Sequence, residues 1–204
     1  MESRRIEALV DGVFAVAMTL LVLQVRVPEL PDPVTASGAL DALAARLPVL
    51  GVFAGAFLIL GTLWLNHHSQ FRYIRAVDRP LVWLNILFLL SVALTPFTAA
   101  FLARYPLQPA AVVLFGTALL LAGVLLFAHW GHAVGGGLVS GEVTPEVAEM
   151  VRERISMGMV ACLGATLVGA FLPKIALVLF ACIPVLYMLP ARTDPAAADE
   201  VPEG

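Results

Sequence analysis

Long apolar runs broken by short polar corners set the frame of this chain. The runs cover roughly residues 6–27, 43–67, 80–103, 108–131, 154–172 and 174–190. A helix that crosses a bilayer needs about 20 mostly apolar residues. By that measure the pattern predicts six spans, the last two short. Pro28 ends the first run, and a loop rich in Pro and Asp follows over 28–40. Pro80 leads the third run, which carries Pro96 near its far end. Pro106 and Pro109 precede the fourth, and Pro173-Lys174 separates the fifth from the sixth. The expected fold is an all-α integral membrane protein with six transmembrane helices per protomer in one domain, 1–190. The tail 191–204, rich in Ala, Pro and acids, is expected to be disordered and cytoplasmic.

Polar residues inside these runs carry the next information. The first run opens Arg5-Ile-Glu-Ala-Leu-Val-Asp11 and is otherwise almost wholly apolar. Charges at membrane depth are costly and usually face protein or water. Glu7 and Asp11 also argue against a cleaved signal peptide, as does the distance to the small-residue stretch Ala36-Ser37-Gly38. An even number of spans puts both termini on one side. Cytoplasmic termini place eight basic residues inside (Arg4, Arg5, Arg72, Arg75, Arg79, Arg152, Arg154, Arg192) and four outside (Arg26, Arg46, Arg104, Lys174). The positive-inside rule favours that orientation, in a cell membrane. Asp11, the Trp64, Asn66, His67, His68 group and Asn85 then share one level near the inner leaflet. A carboxylate at that depth needs donors, which Trp, Asn and His supply. These residues, with Arg5 at the lip, are the expected structural polar network.

Composition narrows the function classes. The chain is 60% hydrophobic and 13% charged, with a net charge of -3. It has no basic stripe of the kind that binds nucleic acid. Cys162 and Cys182 lie in apolar runs and read as small core residues. His67 and His68 point about 100° apart on a helix and are poor joint metal ligands. His129 and His132 are better spaced but have no accompanying Cys, Asp or Glu cluster. There is no nucleophile motif, P-loop or dinucleotide-binding glycine run. Gly135-Gly-Gly has no following Lys and reads as a flexible loop. Neither an enzyme nor a cofactor or metal site is expected.

On an ideal helix Gly12, Val16, Thr19, Leu20, Leu23 and Val27 form one stripe, with Asp11 on roughly the opposite side. If Asp11 faces the protein, the stripe faces lipid, another span or a symmetry axis. Gly51 and Gly55 form a GxxxG pair that permits close helix approach. No TVGYG-like segment is present, so a conventional potassium filter is excluded.

Arg5-x-x-x-Leu9-Val10-Asp11-Gly-Val-Phe-Ala-Val resembles the RxxxFSD signature of the transmembrane protein 175 family of potassium-permeable channels. The likeness continues in Leu63-Trp64-Leu-Asn-His67-His68-x-x-Phe71, in Asn85-x-x-Phe88-Leu89 and in Thr95-Pro96-Phe97. It covers the first three spans in the family's order. The resemblance implies a homotetramer whose first helices line the pore. It implies an apolar constriction at Val16, with Leu20 and Leu23 above it and Thr19 as the pore threonine. It also implies that the signature polar residues pack the first helix against its neighbours. The signature Phe and Ser are Leu9 and Val10 here, which removes one hydrogen-bonding member. The constricting residue, Val16, is smaller than the Ile or Leu often found there.

The expectation is a leak-type, potassium-permeable cation channel with potassium as permeant ion and with itself and membrane lipid as partners. Its rivals are a proton-coupled small-solute transporter using Asp11 and His67, and a non-transporting membrane scaffold. No internal repeat of the transporter kind is evident.

Overall fold

The computed structural model describes residues 3–188 except 31 and 34. The expected disordered tail, 191–204, lies outside the described residues. The chain forms α1 (Ser3–Leu23), α2 (Ala36–Ala44), α3 (Leu47–Phe71), α4 (Arg79–Arg104), α5 (Pro109–Gly135), α6 (Pro145–Gly169) and α7 (Pro173–Met188). Among the described residues four helices, α1, α3, α4 and α5, are long and apolar enough to cross a membrane. α7 is apolar but has only 16 residues. α6 begins with Glu146, Glu149, Arg152, Glu153 and Arg154, so its apolar part starts at Ile155. The fifth and sixth apolar runs are therefore a short pair joined at Pro173.

Side-chain caps explain three of the helix starts. The Asp78 carboxylate accepts from the Leu81 backbone N–H at 2.9 Å, and Pro80 follows in the first turn of α4. Thr144 caps α6 in the same way through Val147 N–H. Thr35 caps α2 through Gly38 N–H at 3.1 Å. α2 was not anticipated. The sequence pattern reads 28–40 as a loop and starts the second span at 43, whereas a short helix ends at Ala44 and α3 begins separately at Leu47. Its nine residues are too few to show a periodic stripe, and none of them is buried.

The Gly135–Gly137 stretch also differs from a flexible loop. Gly137 turns the chain at φ 65°, where a Cβ would be strained. The chain beyond it is pinned: Arg75 N–H donates to Leu138 O at 2.8 Å, Ser140 N–H donates to Tyr73 O at 2.8 Å, and Ile74 bridges to Val139.

α4 lies centrally, against α5 on one side and α1 and α3 on the other. α5 packs on α6, α6 on α7, and α7 returns to α3. Several close approaches need glycine, two of them tying α6 and α7 into the bundle. A Cβ on Gly116 would meet Thr166 and lie 3.0 Å from Phe180 Cζ, and one on Gly158 would meet the Tyr187 hydroxyl. Gly51 and Gly55 behave differently, since an added Cβ meets nothing within 4 Å at either. Within the protomer the GxxxG pair is not a helix-packing seam.

Gly116→Ala is therefore expected to destabilise by about 1–3 kcal/mol through overpacking. Gly51→Ala should be neutral or stabilising by up to about 1 kcal/mol, because Ala favours helix. Thermal unfolding of the two variants in detergent checks the contrast.

Candidate functional site

α1 presents two unlike faces. Ile6, Val10, Phe14, Ala17 and Leu21 are buried at spacings of three and four, and they belong to the main apolar core. The other face is bare in the protomer: Leu9 is 51% exposed, Val16 57%, Leu20 40% and Leu23 72%. Thr19 is exposed between them. Its Oγ1 lies 2.8 Å from Ala15 O and 2.9 Å from Val16 O. The hydroxyl hydrogen is thus spent on its own helix, and the oxygen lone pairs are left as acceptors.

The polar residues behind α1 divide into a rim and a buried pair. At the rim Trp64 Nε1–H donates to Asp11 Oδ1 at 2.8 Å, tying α1 to α3. His68 stacks on Trp64 with ring centroids 5.4 Å apart. Asp11 itself is exposed, so the carboxylate is not buried as its depth in the run implies. Deeper in, His67 Nε2 lies 2.8 Å from Asn85 Oδ1, joining α3 to α4 out of solvent. An amide oxygen only accepts, so the ring donates from Nε2. His67 also stacks between Phe71, at 4.6 Å, and Phe88, at 5.4 Å. Phe88 in turn packs on Phe14 of α1 at 5.9 Å.

Two expected members stand apart. Asn66 Nδ2 donates to Thr62 O of its own helix at 3.0 Å. Arg5 is exposed and takes part in no hydrogen bond or ion pair among the described residues.

Sequence reasoning missed a further layer. Gln70 is fully buried and joins α3 to α5 through both halves of its amide. Its Oε1 accepts from His129 Nδ1 at 2.8 Å, and its Nε2 donates to Leu126 O at 3.2 Å. His129 Nε2 has no partner among the described residues, and its ring lies against those of His67 and Phe71. His132, one turn on, reaches Asp78 Oδ2 at 2.8 Å. The two histidines thus serve different partners, and among the described residues no group of three or more His, Cys, Asp and Glu could hold a metal ion. The Leu81 backbone N–H, and then His132, hold the Asp78 carboxyl below its ordinary value of 3.8.

Comparison with known proteins gives this geometry its context. The family described as "Endosomal/lysosomal potassium channel TMEM175" matches residues 5–96. A protein from Streptomyces collinus, named as a potassium channel, is 34% identical over 97% of this chain and 98% of its own length. The chain belongs to the TMEM175 potassium-channel family. The crystal structure of a TMEM175 homologue from Chamaesiphon minutus, titled a lysosomal potassium-selective channel homologue, superposes with a TM-score of 0.81 at 25% identity. The match covers 94% of this chain and 98% of that one. The human endosomal/lysosomal proton channel TMEM175 is 35% identical over 66% of this chain, which spans 28% of that longer protein. TMEM175 membership makes this chain a multi-pass membrane protein of a channel family, not an enzyme.

The same geometry explains how a TMEM175 chain carries Val10 in place of the signature Ser. Val10 is only 1% exposed and lies in the apolar core, where a side chain without polar atoms needs no partner. Leu9, at the signature Phe position, is on the bare face with Val16.

Asn85→Leu leaves the His67 Nε2–H buried without an acceptor and should cost about 1–3 kcal/mol, read as a lower unfolding midpoint. Asp78 gives a pH test. A carboxyl held below its unfolded value adds stability above that value, and the stability fades as pH falls through the folded value. Asp78→Asn should therefore lower the midpoint at pH 7, and the gap to wild type should close below the ordinary 3.8. A gap that does not narrow as pH falls below 3.8 would contradict this.

Proposed function

We propose that this chain forms a potassium-permeable, leak-type cation channel. Four copies arrange α1 around a shared path, with no dedicated carbonyl filter. The observation that carries this reading is the bare stripe of Val16, Thr19, Leu20 and Leu23, opposite a fully packed seam on the same helix. Relatives named as potassium channels, in Streptomyces collinus and in the Chamaesiphon minutus structure, support the choice of ion. A groove of about 490 Å³ runs along α1 beside Ala93 of α4, and it offers a seat for the neighbouring subunit's helix.

Rings of Val16, Leu20 and Leu23 exclude ions while dry and conduct when a small widening lets water enter. Thr19 oxygens, already donating to their own backbone, offer acceptors to a partly dehydrated potassium ion. Asp11 with Trp64 ties α1 to α3, and His67, held by Asn85, stacks on the Phe88 ring that Phe14 of α1 packs against, so that the bare face keeps its direction. Both termini are cytoplasmic, in a cell membrane, and potassium is the permeant ion rather than a cofactor.

Purified protein in liposomes under opposed potassium and sodium gradients should show a reversal potential close to that of potassium. Val16→Ala and Leu20→Ala should raise the current several-fold and weaken ion preference, while Val22→Ala, off the stripe, should not. Unchanged conductance and selectivity in both stripe variants would remove α1 from the pore.

A further inference from the structure

A second open site lies on a different face, away from α1. A groove of about 430 Å³ runs between α3, the end of α4, the start of α5 and the start of α7. Pro48, Gly51, Gly55 and Ile59 of α3 line one side, Leu102 of α4 and Cys182 of α7 the others. No α1 residue contributes. Gly51 and Gly55 leave its floor open, since a Cβ on either meets no atom within 4 Å. From Pro48 to Ile59 the helix rises roughly 16 Å at 1.5 Å per residue. That is about half of a hydrocarbon core of some 30 Å. The groove is as long as one leaflet is deep.

Three basic residues stand close to its lining along the chain. Arg46 stands directly before α3, two residues ahead of Pro48. Arg104 closes α4 between the lining residues Leu102 and Pro106. Lys174 is the second residue of α7, three before the lining residue Leu177. Three of the four basic residues at this end of the bundle therefore lie within three residues of a residue that lines the groove. None of the three has an acidic partner among the described residues. The acids of this end, Glu29, Asp32 and Asp41, lie on the connection before α3, which contributes nothing to the lining.

We infer that this groove binds an anionic phospholipid, one acyl chain lying along Gly51 and Gly55 and the headgroup phosphate held by Arg46, Arg104 and Lys174. An apolar trench of leaflet length suits an acyl chain, and unpaired basic residues close to its lining suit a phosphodiester. The site is separate from α1 and does not depend on the pore assignment.

Native mass spectrometry tests it on the full chain equilibrated with equimolar phosphatidylglycerol and phosphatidylcholine in detergent. Each basic residue near an anionic lipid is worth about fivefold in affinity. Lys174→Gln should lower retained phosphatidylglycerol about fivefold and leave phosphatidylcholine unchanged. The triple change R46Q/R104Q/K174Q should abolish the preference. Gly55→Leu, whose Cβ meets no atom within 4 Å and whose branch occupies the groove, should reduce retention of both lipids. Equal retention of the two lipids by wild type, or a preference that survives the triple change, overturns the assignment. So does high-yield disulfide linkage between Cys182 of two copies in native membranes, because it would seat a second protomer in the groove. Cys182 is the exposed cysteine and Cys162 the buried one, so the linkage is unambiguous.

Discussion

The hydrogen bond between His67 and Asn85 is the constraint around which the bundle is organised. Both side chains are buried, in a segment where no water is at hand to take over either partner. The bond fixes the rotation of α3 against α4. It also fixes the plane of the His67 ring, which stacks almost parallel to Phe88, at 4°. Phe88 then sets where Phe14 can lie, and with it the buried seam of α1. On the far side the His67 ring meets His129, whose own position is held by Gln70. One polar contact is thus propagated by ring packing into the placement of α1, α3, α4 and α5.

The two layers of polar contacts divide their work by depth. The rim pair, Asp11 with Trp64, is exposed, so it limits helix rotation at little desolvation cost. The inner pairs, His67 with Asn85 and His129 with Gln70, each join an imidazole to a side-chain amide, with no carboxylate in either. Buried neutral groups need only partners of the right geometry, whereas buried ions also need a countercharge. Charge stays at the boundary accordingly: His132 and Asp78 meet where α5 ends and α4 begins, next to the pinned 138–140 segment.

Much of this was legible in the sequence, for a physical reason. Apolar runs report membrane helices directly, and the long helices fall where the runs do. Equal depth grouped Asp11, Trp64, Asn66, His67, His68 and Asn85 at one level without pairing them, and the pairs Asp11 with Trp64 and His67 with Asn85 come only from the structure. Depth does not give rotation. Asn66 is at the right level, yet it turns to Thr62 of its own helix, and Arg5 points into solvent. The Gln70 contacts with α5 were illegible, since a lone Gln near the end of an apolar run has the same pattern whether it faces solvent or a neighbour. α2 escaped because it is too short for periodicity to be read.

The bare faces follow from the same economy. A soluble protein would have to cover exposed apolar residues such as Trp83, Leu90 and Val160, but in a bilayer an apolar face carries no such penalty. Packing therefore has to be specified only on the faces that must touch, and α1 shows this division within single turns: Val10 and Phe14 are locked into the core while Leu9 and Val16, one and two residues away, are free. A Ser at position 10 would add a hydroxyl to that locked seam. Val adds only volume, and the helix is then held by Phe14 against Phe88 and by Asp11 at the rim. The loss of the signature hydroxyl is tolerated because rotation of α1 is already fixed at two other points, one polar and one apolar, one and four residues further along the helix.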